Sequence, residues 1–285
     1  MTVALEAPSN EKAEKGRRHS VLLDYAGLAL GLVPIILLYL ASRFAPLPFS
    51  PTQPNAAETS LAPSTDHWFG TDASGFDVFS RTIDAAGIDL PLAVGGTLLA
   101  LVIGVPLGLI ASSKGWAANV IMRAIDALQA LPLLILAVAL VALAGNNISS
   151  VIVAIVLVSA PGFVRLVRSG ALVVRRTRYV EAATAMGCST ARILRVHVLP
   201  NVMSLILAQA SLGVATAIVV IAGLNFLGVG THPPDPTWGS MISDGAGVIA
   251  QGDWWVALFP SLAIVLVIVC LNAAARAAED LTKAR

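Results

Sequence analysis

Charge is scarce in this sequence. Of its 285 residues only 12% are Asp, Glu, Lys or Arg, while 56% are hydrophobic and mean hydropathy is +0.81. Soluble domains carry about a quarter charged residues, and so apolar a chain has too little polar surface to cover a water-soluble fold. Strict apolar–polar alternation is missing, which argues against a membrane barrel. No G-x-x-x-x-G-K-[ST] stretch occurs, so the chain has no phosphate loop of its own. Basic and aromatic residues do not interleave, and nothing supports nucleic-acid binding. His19, His67, His197 and His232 are scattered, with no two at metal-ligand spacing. No internal repeat stands out.

What is present is apolar length. Runs near 21–41, 90–111, 120–144, 148–166, 202–227 and 256–275 are each long enough to cross about 30 Å of hydrocarbon as helices. The expectation is an all-α polytopic membrane protein with six transmembrane helices. The first run is too long for a cleaved signal and lacks a small-residue cleavage site, so it is read as an anchor. Pro34, Pro106 and Pro132 lie in or near spans, where they are expected to kink helices. Gly95, Gly96, Gly104 and Gly108 suit close helix packing.

The basic residues orient the chain. Lys12, Lys15, Arg17 and Arg18 precede the first span, and Lys114 and Arg123 follow the second. Arg165, Arg168, Arg175, Arg176, Arg178, Arg192 and Arg195 cluster between the fourth and fifth, and Arg276, Lys283 and Arg285 close the chain. Six crossings place all of these on one side, the cytoplasmic side by the positive-inside rule, together with both termini. Only Arg43 and Arg81 fall opposite, among Glu58, Asp66, Asp72, Asp77, Asp84, Asp235, Asp244 and Asp253. The expected organisation is a cytoplasmic N-terminal segment 1–20, a first span with external loop 21–87, a core domain 88–276 of five spans containing a cytoplasmic loop 168–200, and a cytoplasmic tail 277–285. Cys188 and Cys270 then lie in reducing or lipid surroundings, which disfavours a disulfide. Cys188 has no neighbouring base to make it a nucleophile.

The inner loop contains "YVEAATAMGCSTARILRVHVLP", residues 179–200. Good helix formers run from Glu181 to Met186, Gly187 permits the positive φ that ends a helix, and Ser189 or Thr190 caps the next. Ile193, Leu194 and Val198 share a face opposite Arg192 and Arg195, and Pro200 marks the start of the fifth span. This predicts a helix–turn–helix elbow. By composition it reads equally as a docking site for a partner with an acidic rim or as a basic anchor on anionic lipid.

Elsewhere, Asp126 stands three residues after Arg123, a spacing for a local ion pair. Asp24, Asp84 and Asp89 sit near span ends and are expected to be wetted. Asp72 to Asp77 spans half a calcium-loop pattern without the later bidentate Glu, so an Asp/Gly turn is the expectation. The external stretch 43–87 is too short for an independent domain with a substantial core. Trp254 and Trp255 suit the interfacial aromatic belt. Trp238, after Pro233, Pro234 and Pro236, is a candidate external gate, with Asp72, Asp77 and Pro234 as candidate gate or docking residues.

The elbow resembles the EAA loop of binding-protein-dependent ABC importer permeases: Glu181-Ala182-Ala183, three residues, Gly187, then His197-Val198-Leu199-Pro200. "HWFGTDASGFDVFSR" (67–81) resembles the HxxGTDxxGRDxxSR motif of the dipeptide/oligopeptide/nickel branch, with Phe76 for its usual Arg. "LNFLGVGTHPPDPTWGSM" (224–241) is similar to that branch's LSFLGLGxxPPxPxWGxM, with Asn225 for Ser. The likeness runs from about residue 65 to 270 and points to the C-type subunit.

The resemblance implies a type I ABC importer permease fold in a bacterial cytoplasmic membrane. Glu181, Ala182, Ala183, Met186, Gly187, Arg192, Leu199 and Pro200 would form the ATPase-coupling element. It implies a second homologous permease, cytosolic ABC ATPase subunits carrying ATP and Mg, and an extracytoplasmic substrate-binding protein. The chain itself is expected to hold no cofactor and no metal, and to perform no enzymatic step. An ion-gradient-driven secondary transporter is the alternative. It would require midplane ionisable residues and commonly two similar halves, and neither is seen.

Overall fold

The computed structural model describes residues 10–113, 115–230 and 234–283, with side chains from 25 to 281. Lys114, Thr231, His232, Pro233 and Arg285 lie outside the described residues, as do the side chains of Lys12, Lys15, Arg17, Arg18, His19, Asp24 and Lys283. Ten α-helices make up the described chain: α1 (Asn10–Phe44), α2 (Val78–Ala111), α3 (Trp116–Gln129), α4 (Leu133–Ala144), α5 (Ile148–Val174), α6 (Arg178–Ala185), α7 (Thr190–Arg192), α8 (Leu199–Phe226), α9 (Trp238–Val248) and α10 (Trp255–Lys283). No strand occurs among the described residues; Thr71 and Asp77 form one isolated bridge.

Five stretches, in α1, α2, α5, the α7–α8 rod and α10, are each long and apolar enough to span a bilayer. The run expected as one span at 120–144 is instead broken. Helices α3 and α4 meet at 87°. Pro132 opens α4 with φ −56°; it has no N–H and disfavours a helical residue before it, and here the chain takes that break between Gln129 and Leu133. Pro34 and Pro106 leave α1 and α2 as single helices.

End-to-end contacts fix the topology. At one end Arg43 Nη2 donates to Gly87 O (2.8 Å), and the Gly230 N–H donates to Asn146 Oδ1. Nearby, Trp255 Nε1 donates to Thr71 O (3.0 Å). At the other, Arg168 Nε donates to Ala111 O (3.0 Å), and Arg175 Nη1 to Ser112 O (3.2 Å) and Ser113 Oγ (3.1 Å). The chain thus leaves α2 at the second end and reaches Asn146 at the first, so α3 and α4 together make one crossing. With six crossings the start of α1 and the end of α10 share the end that carries α6, and Gly31 there packs on Ala274.

Glycines line the seam between α2 and α5. A Cβ on Gly96 would meet Ile155 Cγ2 at 2.6 Å, on Gly104 Phe163 Cβ at 2.7 Å, and on Gly108 Val167 Cβ at 2.8 Å. All three face α5, which lets the two backbones approach as lipid-embedded helices need. Gly95, expected in the same role, meets nothing within 4 Å and faces outward. Above this seam Ile155, Ile218, Ile221, Leu224 and Trp238 fill the main core. A second core lies beneath α6, built from Val105, Val167, Ala171, Val180, Ile193, Val198, Val202 and Ile206.

Candidate coupling elbow and external cap

Helix α6 has eight residues, too few to hold together alone in water. Two features hold it. Val180 and Ala183 are buried on its inner side, Val180 within the second core. Its end is a complete Schellman cap: the Gly187 N–H donates to Thr184 O (3.0 Å) and the Cys188 N–H to Ala183 O (3.1 Å), with Gly187 at φ +81°. Ser189 then caps the next helix through a 3.4 Å bond from the Arg192 N–H, so Ser189 rather than Thr190 takes that role.

The second limb is not a separate helix. From Thr190 the chain passes through a π-helical segment, Ile193–Val198, straight into α8. The Leu199 N–H accordingly reaches back five residues to Leu194 O. A proline ring inside a regular helix collides with the carbonyl four residues back, and the wider π turn relieves that collision before Pro200.

The elbow residues divide by face. Glu181, Ala182, Met186, Gly187, Arg192 and Pro200 are exposed, Met186 at 79%. Ala183 points inward and Leu199 is half-buried. Of the arginines, Arg176, Arg178, Arg192 and Arg195 are exposed. Arg168 and Arg175 instead tie α5 to the end of α2, a structural use that their position in a basic run does not distinguish.

At the opposite end the external stretch is folded onto the helices. Asp72 Oδ1 accepts the N–H groups of Ser74 (2.9 Å) and Phe76 (3.0 Å), with Gly75 at φ +85°. This is the expected Asp/Gly turn. Asp77 caps α2 by accepting the Ser80 N–H (2.7 Å), and its other oxygen lies 2.8 Å from His67 Nδ1. His67 is buried, stacked on Phe49, with Nε2 3.3 Å from Glu58 Oε2. Phe76 lies under the buried Arg81 guanidinium, 4.0 Å from ring centre to Cζ.

Four expectations are corrected here. Trp255 is not a belt residue: it is buried in a small core with Val78, Met241 and Val256, and its indole bonds Thr71. Trp254 stays half exposed. Trp238, the candidate gate, is fully buried; its backbone N–H donates to Asp89 Oδ2 (3.0 Å) and its indole to Thr82 O (3.0 Å), pinning α9 to α2. Asp89 is not wetted but 1% exposed, with Oδ1 lacking a hydrogen-bond partner among the described residues. Asp126 pairs across helices with Arg165 (2.6 Å), not locally with Arg123, because α3 is laid against α5. Of the other external candidates, Pro234 is exposed. Asp244 on α9 is also exposed at the surface, yet the protein packed around its carboxyl desolvates it enough to push it above the ordinary range, against the pull of nearby Arg81 and with Asp72 adding to the rise.

The elbow and the broken third span can be set beside known proteins. The profile of the family described as "Binding-protein-dependent transport system inner membrane component" matches residues 100–283, which includes the whole elbow. The chain belongs to that family. The dipeptide transport system permease protein DppC of Alkalihalophilus pseudofirmus is 39% identical over 246 residues, 85% of this chain and 81% of the relative. The glutathione transport system permease protein GsiD of Pectobacterium atrosepticum is 41% identical over 213 residues, 74% of this chain and 70% of the relative. The DppC of Bacillus subtilis is 36% identical over 253 residues, 88% of this chain and 79% of the relative. As a binding-protein-dependent inner membrane component, the chain is a permease subunit and not an enzyme. Such permeases work with an ATPase that is a separate subunit and with a substrate-binding protein.

Proposed function

We propose that this permease forms half of a translocation pathway for short peptides or related nutrients, paired with a second homologous permease. The observation that carries the coupling part of this reading is the elbow. A short helix with an exposed small-residue face and a glycine-locked end is welded by Val180, Ile193 and Val198 to α5 and α8. On this reading the elbow end is cytoplasmic, as its arginines require. The exposed face of Glu181, Ala182, Met186 and Arg192 seats in a groove of a cytosolic ATPase that carries ATP and Mg. Gly187 sets the angle of that face. Leu199 and Pro200 pass its movement into α8, so that a displacement below becomes a rigid-body displacement of membrane helices. The capped external end, with Asp72, Asp77, Pro234 and the α9 strut held by Trp238, receives the binding protein. The peptide class follows the names of the dipeptide and glutathione relatives.

Asp89 gives the ion-gradient alternative a foothold, being a buried acid with an oxygen that has no hydrogen-bond partner among the described residues, in a spanning helix. One experiment decides between them. Vesicles holding the assembled complex are assayed for uptake with a hydrolysis-dead ATPase, and separately with a collapsed proton gradient. Loss only with the dead ATPase is expected. Loss only with the collapsed gradient, or failure of Ala182→Cys to cross-link to the ATPase, would replace this reading with the alternative.

A further inference from the structure

The exposed surfaces of the spanning helices are of two kinds. Along 26–40 of α1, 91–110 of α2 and 258–269 of α10 every exposed side chain is apolar, including Leu37, Leu99 and Val265. Of the polar groups there, Ser261 bonds back to a carbonyl of its own helix, as Asn272 does just beyond, and Thr97 is buried away from the exposed surface. One face differs. On α5 and α3 the Arg165–Asp126 pair stands open, with side chains 49% and 60% exposed. Ser169 is exposed one turn below. Gln209 of α8 lies one turn above: its amide nitrogen would meet a Cβ on Gly162 at 3.2 Å, and it makes no hydrogen bond among the described residues.

Depth makes this face incompatible with lipid. Arg165 stands nine residues before the end of α5, roughly 14 Å at 1.5 Å per residue. The helix of 27 residues exceeds a hydrocarbon core of about 30 Å by only about 9 Å. Arg165 is therefore at least about 5 Å inside the core wherever the surplus falls, and not on the cytoplasmic surface where its place in the basic run leads one to expect it. Gln209 is ten residues into α8, about 15 Å, and by the same reckoning at least about 5 Å inside the core. Open charges and free amides at this depth belong to a water-filled path.

We infer that the α3–α5–α8 face lines the translocation path, and that the Asp126–Arg165 pair is a contact for substrates carrying both an ammonium and a carboxylate. An exposed ion pair contributes little stability, so a ligand bringing one partner for each member displaces it readily. Asp126 takes the ammonium. Arg165, whose guanidinium fork matches a carboxylate, takes the other terminus. This rests on the importer reading above.

The test uses the assembled complex with Cys188→Ser and Cys270→Ala, in vesicles open at the elbow side. Ser169→Cys and Gln209→Cys are exposed to a membrane-impermeant thiol reagent, with Val265→Cys as the lipid-face reference. Labelling at least tenfold faster than the reference is expected, slowed by dialanine but at least tenfold less by N-acetyl-dialanine or dialanine amide. Asp126→Asn and Arg165→Gln each abolish the protection. Cysteines as silent as Val265→Cys would overturn the assignment of the face. Absence of protection, equal protection by capped and free peptide, or protection restored by D126R together with R165D, would overturn the ligand contact and leave a structural pair. Failure of the importer reading registers separately, as wild-type uptake indifferent to ATP.

Discussion

Gly187 offers the sharpest test of the elbow, because a side chain there strains only the backbone. Its φ is +81°, and a Cβ would meet nothing within 4 Å. An L-residue in the left-handed region costs roughly 1–2 kcal/mol, with β-branched residues worst and Asn best tolerated. That range corresponds to a factor of about five to thirty in an equilibrium constant. The penalty falls on an eight-residue helix that the cap helps to hold. Gly187→Asn is therefore expected to stay near wild type, Gly187→Ala to lose about fivefold in ATP-driven uptake, and Gly187→Val about thirtyfold. Membrane levels stay constant, since no atom collides. Uptake per permease and ATP hydrolysis are measured together in vesicles, and the valine variant hydrolyses ATP without moving cargo. Valine matching glycine at equal permease level would refute the reasoning. So would a loss of uptake that merely tracks loss of the protein from the membrane.

Gly104→Ala drives a methyl to within 2.7 Å of Phe163 Cβ and should destabilise the α2–α5 seam by about 1–3 kcal/mol in thermal unfolding in detergent, while Gly95→Ala leaves it unchanged. Asp89→Ala strands the buried Trp238 N–H, at a cost of about 1–3 kcal/mol, and Asp89→Asn, which keeps an acceptor, loses less in the same assay. Asp244 gives a pH dependence whose sign is fixed. Its folded carboxyl holds a proton more tightly than the unfolded one, so stability falls as pH rises from the ordinary Asp pKa toward its raised folded value, and recovers on acidification. Asp244→Asn should flatten that part of the melting-temperature profile, and an unchanged slope would count against the partial desolvation of this surface carboxyl that causes it.

The sequence was most legible where a local rule decides the outcome. Gly187, Ser189 and Asp72 each act through bonds to residues within five positions, and spacing alone carries that information. Hydropathy located the spans because backbone groups in lipid have no partner but their own helix. It could not locate the break at Pro132, since apolar content is the same on either side of an 87° bend. Pro34 and Pro106, with the same chemistry, leave their helices unbroken. The external residues were misread for a related reason. Trp238 bonds a carbonyl 156 positions away and Trp255 one 184 positions away. A tryptophan at a predicted boundary looks the same whether it meets head groups or plugs a core. Asp89 borders an apolar run, which by itself implies a wetted span end, but α2 begins at Val78 and α9 folds over it.

The placement of rigidity bears on how such a subunit moves. Helix α6 shares its core with residues from α2, α5, the π segment and α8, so the elbow has no soft joint to the helices above it. The α7–π–α8 rod carries the chain from the exposed Arg192 to Phe226 without a turn. At the other end α9 is bonded to α2 through both nitrogens of Trp238, and the cap residues Thr71 and Asp77 to α10 and α2. Helix α4 is held in the main core by Ala137 and Val141, so what remains with the fewest such ties is α3, whose polar link to the bundle is the exposed Asp126–Arg165 bridge. A load applied at the elbow therefore moves α5 and α8 as one piece against α3, and the bridge lies across the surface where that relative motion is concentrated. Contact with cargo and adjustment of α3 would then occur at the same two side chains.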